Sequence, residues 1–90
     1  MKTKKKIYDV IHSHARENKA LLQNSECNIC IYCKRTVDFT DIGEWVVERS
    51  GKDSAICPYC GIDCVVPQRV DGVYDMDEQL LDEMHKYWFE

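Results

Sequence analysis

The chain predicts a small α+β domain in which two cysteine-bearing turns, set on short β-hairpins, are flanked by an N-terminal and a C-terminal helix. Three observations carry this. Cys30-Ile31-Tyr32-Cys33 and Cys57-Pro58-Tyr59-Cys60-Gly61 are near-copies of one phrase. Apolar residues recur at helical spacing near both ends of the chain, and β-favouring runs between them are punctuated by Ser50-Gly51 and Asp71-Gly72. With 90 residues there is room for one thin core, in the size range where a metal or disulfides supplement hydrophobic burial.

The N-terminal helix is expected over about residues 4–22, because Ile7, Ile11, Ala15 and Leu22 fall on one face with Tyr8 and Leu21 beside it. Asn24-Ser25 ends it and leads into the first cysteine turn. Asp41-Ile42-Gly43-Glu44 has the form of a capping box, and Ile42, Trp45 and Val46 follow at i, i+3 and i+4, which predicts a short helix over 41–49. A strand competes with it, since Trp45-Val46-Val47 is a β-favouring run. Ala55-Ile56 then reads as a short strand entering the second turn. Ile62 to Val66 is expected to return along it, as in rubredoxin-type ribbons, until Pro67 stops it. Asp71-Gly72 between Val70 and Val73 signals a two-residue hairpin. Asp75 to Glu78 forms a second capping box, opening a helix whose stripe is Leu80, Leu81, Met84, Tyr87 and Trp88.

The net charge is −4, and Lys2, Lys4, Lys5 and Lys6 stand together without an acid, so the remainder of the chain sums to −8. From Asp63 to Glu90 there are eight acids against Arg69 and Lys86. Such a surface repels phosphate backbones, which makes nucleic acid an unlikely partner for the body of the domain. The basic start runs into Asp9, His12 and His14 with no apolar stretch behind it, and no run approaches the roughly 20 apolar residues of a membrane span. The expectation is one cytoplasmic domain over 1–90 with reduced cysteines, no membrane association, and a disordered basic tail over 1–6.

Two Cys-x-x-Cys turns supply the four soft ligands of a closed tetrahedral site. Pro58 fixes φ early in the second turn, and Gly61 lets the backbone bend so that its amides approach sulfur. These features assign Cys30, Cys33, Cys57 and Cys60 as ligands of Zn²⁺, in zinc-ribbon or rubredoxin-like knuckles; iron would use the same thiolates. Cys27-Asn28-Ile29-Cys30 is also a Cys-x-x-Cys, but only Cys30 and Cys33 repeat the tyrosine immediately before the second cysteine. Cys27 and Cys64 are then left as small buried side chains, as additional ligands with His12 or His14, or as a disulfide.

Cys57-Pro58-Tyr59-Cys60 is also the active-site string of glutaredoxins, which raises a dithiol oxidoreductase. A glycine and a strand-like segment follow it, where that fold needs a long helix. A ββα-metal nuclease, a metal-dependent hydrolase, would need a histidine between or beside the knuckles, and residues 34–56 hold none. His12 and His14 point about 200° apart on a helix, so they make no i, i+4 ligand pair. Catalytic residues are therefore not expected. Tyr87-Trp88-Phe89 spans most of a helical turn. Tyr87 and Trp88 are expected to dock into the core, with Phe89 facing outward beside Trp45 or Ile31 as an interaction patch or homodimer contact.

The chain resembles a group of small bacterial and phage-associated cytoplasmic zinc-ribbon proteins with no established activity. The resemblance rests on His12-Ser13-His14, the Cys-x-Tyr-Cys of 30–33, Glu44-Trp45, the run from Ala55 to Asp63, and Met84-His85-Lys86-Tyr87-Trp88-Phe89. It covers most of residues 12–89. In that group a serine often stands where this chain has Cys64, and a glycine is common near Asn28, which weakens Cys64 as an essential ligand. The resemblance brings little function with it, and four thiolates closing a metal would leave no open position for water. The function expected is therefore protein binding through Trp45, Trp88 and Phe89, including regulation or inhibition of a host enzyme. A nucleic-acid-binding ribbon using the N-terminal lysines, Lys34 and Arg35 is the alternative.

Overall fold

The computed structural model describes the backbone of residues 2–90 and the side chains of residues 6–90. The expected tail over 1–6 falls outside the described residues for Met1 and for the side chains of 2–5. Helix α1 is Lys2–Ser13 and helix α2 is Lys19–Gln23, so the single helix expected over 4–22 is two. The break has a polar cause. Asn18 is buried, and its side-chain amide donates to the carbonyls of His14 and Val65, both at 2.8 Å, while its oxygen accepts from the Ala55 amide at 3.1 Å. Glu17, at φ 52°, turns its own amide to the Ser54 hydroxyl at 2.7 Å. The backbone groups released by the break thus find partners across the fold. The inward face survives the break, because Ile11, Ala15 and Leu22 are all buried.

Strand β1 (Asn28–Cys30) pairs antiparallel with both β2 (Thr36–Val37) and, later in the chain, β5 (Val65–Pro67). Between them lie a 3₁₀ turn over Phe39–Asp41 and a separate hairpin of β3 (Trp45–Val47) and β4 (Asp53–Ala55). The helix expected over 41–49 is therefore replaced by the strand that competed with it. Two adjacent valines after a tryptophan suit a pleated strand, and Gly51 at φ 87° closes the turn, with the Glu48 amide donating to the Lys52 carbonyl at 2.9 Å.

The strand after the second knuckle begins at Val65 and lies along β1, not along β4 as expected. The cause is burial: Val65 and Val66 are both fully covered, and β1 offers buried partners where the β3–β4 hairpin is half open. Pro67 is the last residue of β5, opposite Asn28, and its carbonyl accepts the Tyr74 hydroxyl at 2.6 Å. A third hairpin joins β6 (Arg69–Val70) to β7 (Tyr74–Asp75) through residues 71–73, with Gly72 at φ 77°. Its loop has three residues, one more than expected, because Val70 pairs with Tyr74.

Helix α3 (Glu78–Phe89) is capped by Asp77, whose Oδ1 accepts the Leu80 amide at 2.8 Å. The expected cap, Asp75, belongs to β7. Its neighbour Tyr74 is buried, which draws that pair into the hairpin.

Two apolar clusters result. One gathers Ile11, Ile29, Ile31, Val66, Met76, Leu81 and Met84 between α1, α3 and the three-stranded sheet. The other sets Leu22, Val37, Ile42, Ala55 and Val65 around Cys30 and Cys57. Among the described residues no helix is long and apolar enough to cross a membrane.

Candidate metal centre

Each knuckle is closed by the same two backbone hydrogen bonds. In the first, the Lys34 amide donates to the Cys30 carbonyl at 2.8 Å and the Cys30 amide to the Arg35 carbonyl at 3.0 Å. In the second, Gly61 donates to Cys57 and Cys57 to Ile62, both at 3.0 Å. The residue after the second cysteine is left-handed in both, Lys34 at φ 65° and Gly61 at φ 79°. Only the second knuckle places glycine there.

This repeated geometry brings the four sulfurs of Cys30, Cys33, Cys57 and Cys60 within 4.8 Å of one another. Across the knuckles, Cys30 Sγ and Cys60 Sγ are 3.7 Å apart, as are Cys33 Sγ and Cys57 Sγ. A tetrahedron of thiolates with metal–sulfur bonds of about 2.3 Å has edges of about 3.8 Å. The donors therefore fit a tetrahedral ion. Among the described residues this is the group of histidine, cysteine and acidic side chains placed to hold a metal.

The surroundings act differently on the four sulfurs. Burial pushes the Cys30 thiol up, and it pushes Cys60 up as well. Burial acts on Cys57 in the same sense, but the amides of Tyr59 and Cys60 aimed at its sulfur outweigh it, and that thiol lies below its ordinary value. The Tyr59 amide is 3.4 Å from Cys57 Sγ. Cys30 and Cys57 are buried while Cys33 and Cys60 are half-buried, so the site sits at the edge of the second apolar cluster.

The cations that follow the first knuckle are engaged with other groups. Lys34 Nζ lies 2.8 Å from Asp82 Oδ1 on α3, and the Arg35 guanidinium lies 5.1 Å from the centre of the Tyr59 ring.

The two remaining cysteines stand apart from this group, and all six are free thiols, so Cys27 and Cys64 form no disulfide. Cys64 is buried in the first cluster; burial, with the nearby Asp63 and Cys60, pushes its thiol up to about 12. Cys27 is half-buried, with the Asn28 carbonyl 4.0 Å from its sulfur. The histidines join no ligand group. His12 stacks on Trp88 at 3.9 Å, His14 faces Tyr74 at 5.8 Å, and His85 reaches Glu90 at 2.9 Å.

The aromatic residues expected to form a patch are divided. Trp45 packs against Phe39 at 5.8 Å with Lys19 Nζ over its ring at 5.1 Å. Trp88 lies on His12, and Phe89 meets Tyr32 edge-on at 4.9 Å. Ile31 is fully buried and takes no part in a surface. Tyr87 and Trp88 do not enter the core: they are 40% and 36% exposed, and each meets a ring of α1, Trp88 stacked on His12 and Tyr87 tilted against Tyr8. Sequence reasoning missed His12 as a ring partner, although Tyr8 and His12 stand four apart on α1 and so share its face.

Fold and site together define a class: a small α+β domain with zinc-ribbon-like knuckles whose four cysteines are placed so that they could hold one metal ion. Compared with protein-family models, curated proteins and solved structures, the chain matches none.

Proposed function

We propose that the cysteine tetrad holds a structural Zn²⁺ ion and that the domain acts without catalysis, by binding another protein as a regulator or inhibitor. The observation that carries the metal assignment is the cross-knuckle sulfur spacing of 3.7 Å, which matches a tetrahedral thiolate site. Four protein thiolates fill the coordination of such an ion and leave no position for a reacting water. The same engagement of Cys57 and Cys60 argues against dithiol redox chemistry. Protein binding is supported by the exposed apolar side chains, among them Val47 at 69%, and by the acidic balance of the chain. Lys34 and Arg35, the cations a nucleic-acid reading would use, are held by Asp82 and Tyr59.

The test has two parts. Metal analysis of the purified chain is expected to give one zinc per molecule, and Co²⁺ exchange the absorption of a tetrahedral thiolate site; iron in the same stoichiometry would replace zinc in the assignment. Stripping the ion with a strong chelator is expected to abolish the far-ultraviolet circular dichroism of the fold, since binding of this kind is folding free energy of about 10 kcal/mol or more. An unchanged spectrum after verified metal loss would sink the structural role. Tight retardation of nucleic acid at low salt, collapsing as salt is added, would overturn the protein-binding reading.

A further inference from the structure

The β3–β4 hairpin has one closed edge and one open edge. The Ala55 amide points away from β3 to the Asn18 side chain at 3.1 Å, while Ile56 donates to the Glu44 carbonyl at 3.0 Å and Glu48 to Lys52 at 2.9 Å. This fixes the alternation of the ladder. Glu44, Val46 and Glu48 turn their backbone groups toward β4, and Trp45 and Val47, opposite Ala55 and Asp53, turn theirs outward. β4 is covered on its far side by Asn18 and by the Glu17 amide on Ser54. Among the described residues no strand covers the outer edge of β3, and Val46 and Val47 beside that edge are 42% and 69% exposed. No proline, bulge or lysine within the strand protects it.

The geometry points to a second copy of this chain on that edge, β3 pairing antiparallel with β3 about a two-fold axis through Val46. The edge is self-complementary in that register. Trp45 of each copy falls opposite Val47 of the other in hydrogen-bonded pairs, an aromatic and a β-branched side chain on the same face. Val46 meets its own copy on the axis. The next position out sets Glu44 against Glu48, whose carboxylate already holds Arg16 at 2.9 Å. Arg16 is 66% exposed, so its guanidinium is free to bridge to the incoming Glu44, which has no ion pair of its own among the described residues. The result is a four-stranded sheet across two chains. Three residues a side bury little beside the roughly 800 Å² per partner of a stable interface, so the pairing is concentration-dependent.

This inference rests on the reading of the domain as one that acts through its surface. The test is molar mass by sedimentation equilibrium on the metal-loaded chain, from about 10 μM to about 1 mM. Mass is expected to rise from one chain toward two. Exchange of the Trp45 and Val47 amides should slow with concentration, and that of Glu48, already bonded within the hairpin, should not. Val46→Lys sets two ammonium groups against each other on the axis, and Val47→Pro removes an outward N–H without breaking a bond to β4. Both are expected to stay at the mass of one chain at the highest concentration, while Val46→Thr still pairs. Circular dichroism and metal content of each variant confirm its fold, and because Val46 is exposed, Val46→Lys holds the test if the proline variant unfolds. A wild-type mass that stays at one chain, or a dimer that survives both substitutions, overturns the proposal. A folded, metal-loaded monomer overturns the edge pairing alone, whereas a chain without metal overturns the structural-zinc reading whatever its mass.

Discussion

Lys34 and Gly61 occupy the same place in the two knuckles and differ in what it costs them. A side chain at φ 65° carries strain of about 1 kcal/mol that glycine at φ 79° does not. Lys34→Gly relieves it and forfeits an exposed ion pair to Asp82, which contributes well under 1 kcal/mol. The variant is therefore expected to be slightly more stable, and Gly61→Ala less stable by about 1 kcal/mol, both read as shifts of the denaturant midpoint. Sequence showed the glycine's use at 61 and gave no sign of the same conformation at 34, because lysine is no marker for it.

His14 carries a second residue-scale prediction. Its Nδ1 is buried without a partner, and burial holds the imidazole below its ordinary value of 6.5. The unfolded chain then takes up the proton first, so stability is fully present above about pH 6.5 and declines as the pH falls toward the lower folded value. In metal-loaded protein, the loss of stability between about pH 7 and about pH 5.5 is expected to be smaller for His14→Phe than for the wild type. Equal slopes would assign the acid sensitivity elsewhere.

At the scale of elements, the polar joint between α1 and α2 matters more than its length suggests. Asn18 ties the helical segment to β4 and β5 through one hydrogen bond each, and a third holds it to His14. Asn18→Ala leaves a buried amide and two carbonyls without these partners and is expected to lower stability by about 2–5 kcal/mol. Asn18→Asp keeps the acceptor but sets a buried carboxylate oxygen against the His14 and Val65 carbonyls, and is expected to be at least as destabilising as alanine; denaturant titration orders the three.

Periodicity could not show this joint. Ile7, Ile11, Ala15 and Leu22 keep their helical spacing across the break, so the pattern reads as continuous. The strand at Trp45 competes in the sequence with a capping pattern at Asp41–Glu44, and Asp41 instead ends a 3₁₀ turn. The pairing of β5 with β1 was hidden for another reason: adjacent strands in sequence were assumed adjacent in space, and here a hairpin intervenes. The terminal helix was the element most legible, with Leu81 and Met84 of its stripe buried, its last two rings left on the surface and its cap displaced by two residues.

For the whole molecule, the sulfur cluster separates two kinds of cysteine, and the distinction predicts opposite responses. Cys57→Ser removes a metal donor and is expected to abolish folding at any practical metal concentration. Cys64→Ser exchanges one small buried side chain for another and should cost about 1–2 kcal/mol with metal content unchanged. Thermal melts with metal analysis decide between them, and equal damage would mean that the ligand set is wrong. The two phrases repeated in the sequence were enough to choose the four cysteines whose sulfurs the fold brings together, because the repeat encodes the turn itself. The surface was less legible, since exposure depends on which element covers which, and the terminal rings went to α1 and Tyr32 instead of the core.

An ion held across the knuckles would also be a topological link. By joining Cys30 to Cys60 and Cys33 to Cys57, it would close a chain segment of about 30 residues that contains β2, β3 and β4 but neither α1 nor α3. Closing a loop of that size removes about 3–4 kcal/mol of freedom from the unfolded chain on the model used for disulfides. Both long helices stand outside the ring and add nothing to its closure. The central β3–β4 hairpin lies wholly inside the ring, so it is the part of the chain whose disorder such an ion would most restrict.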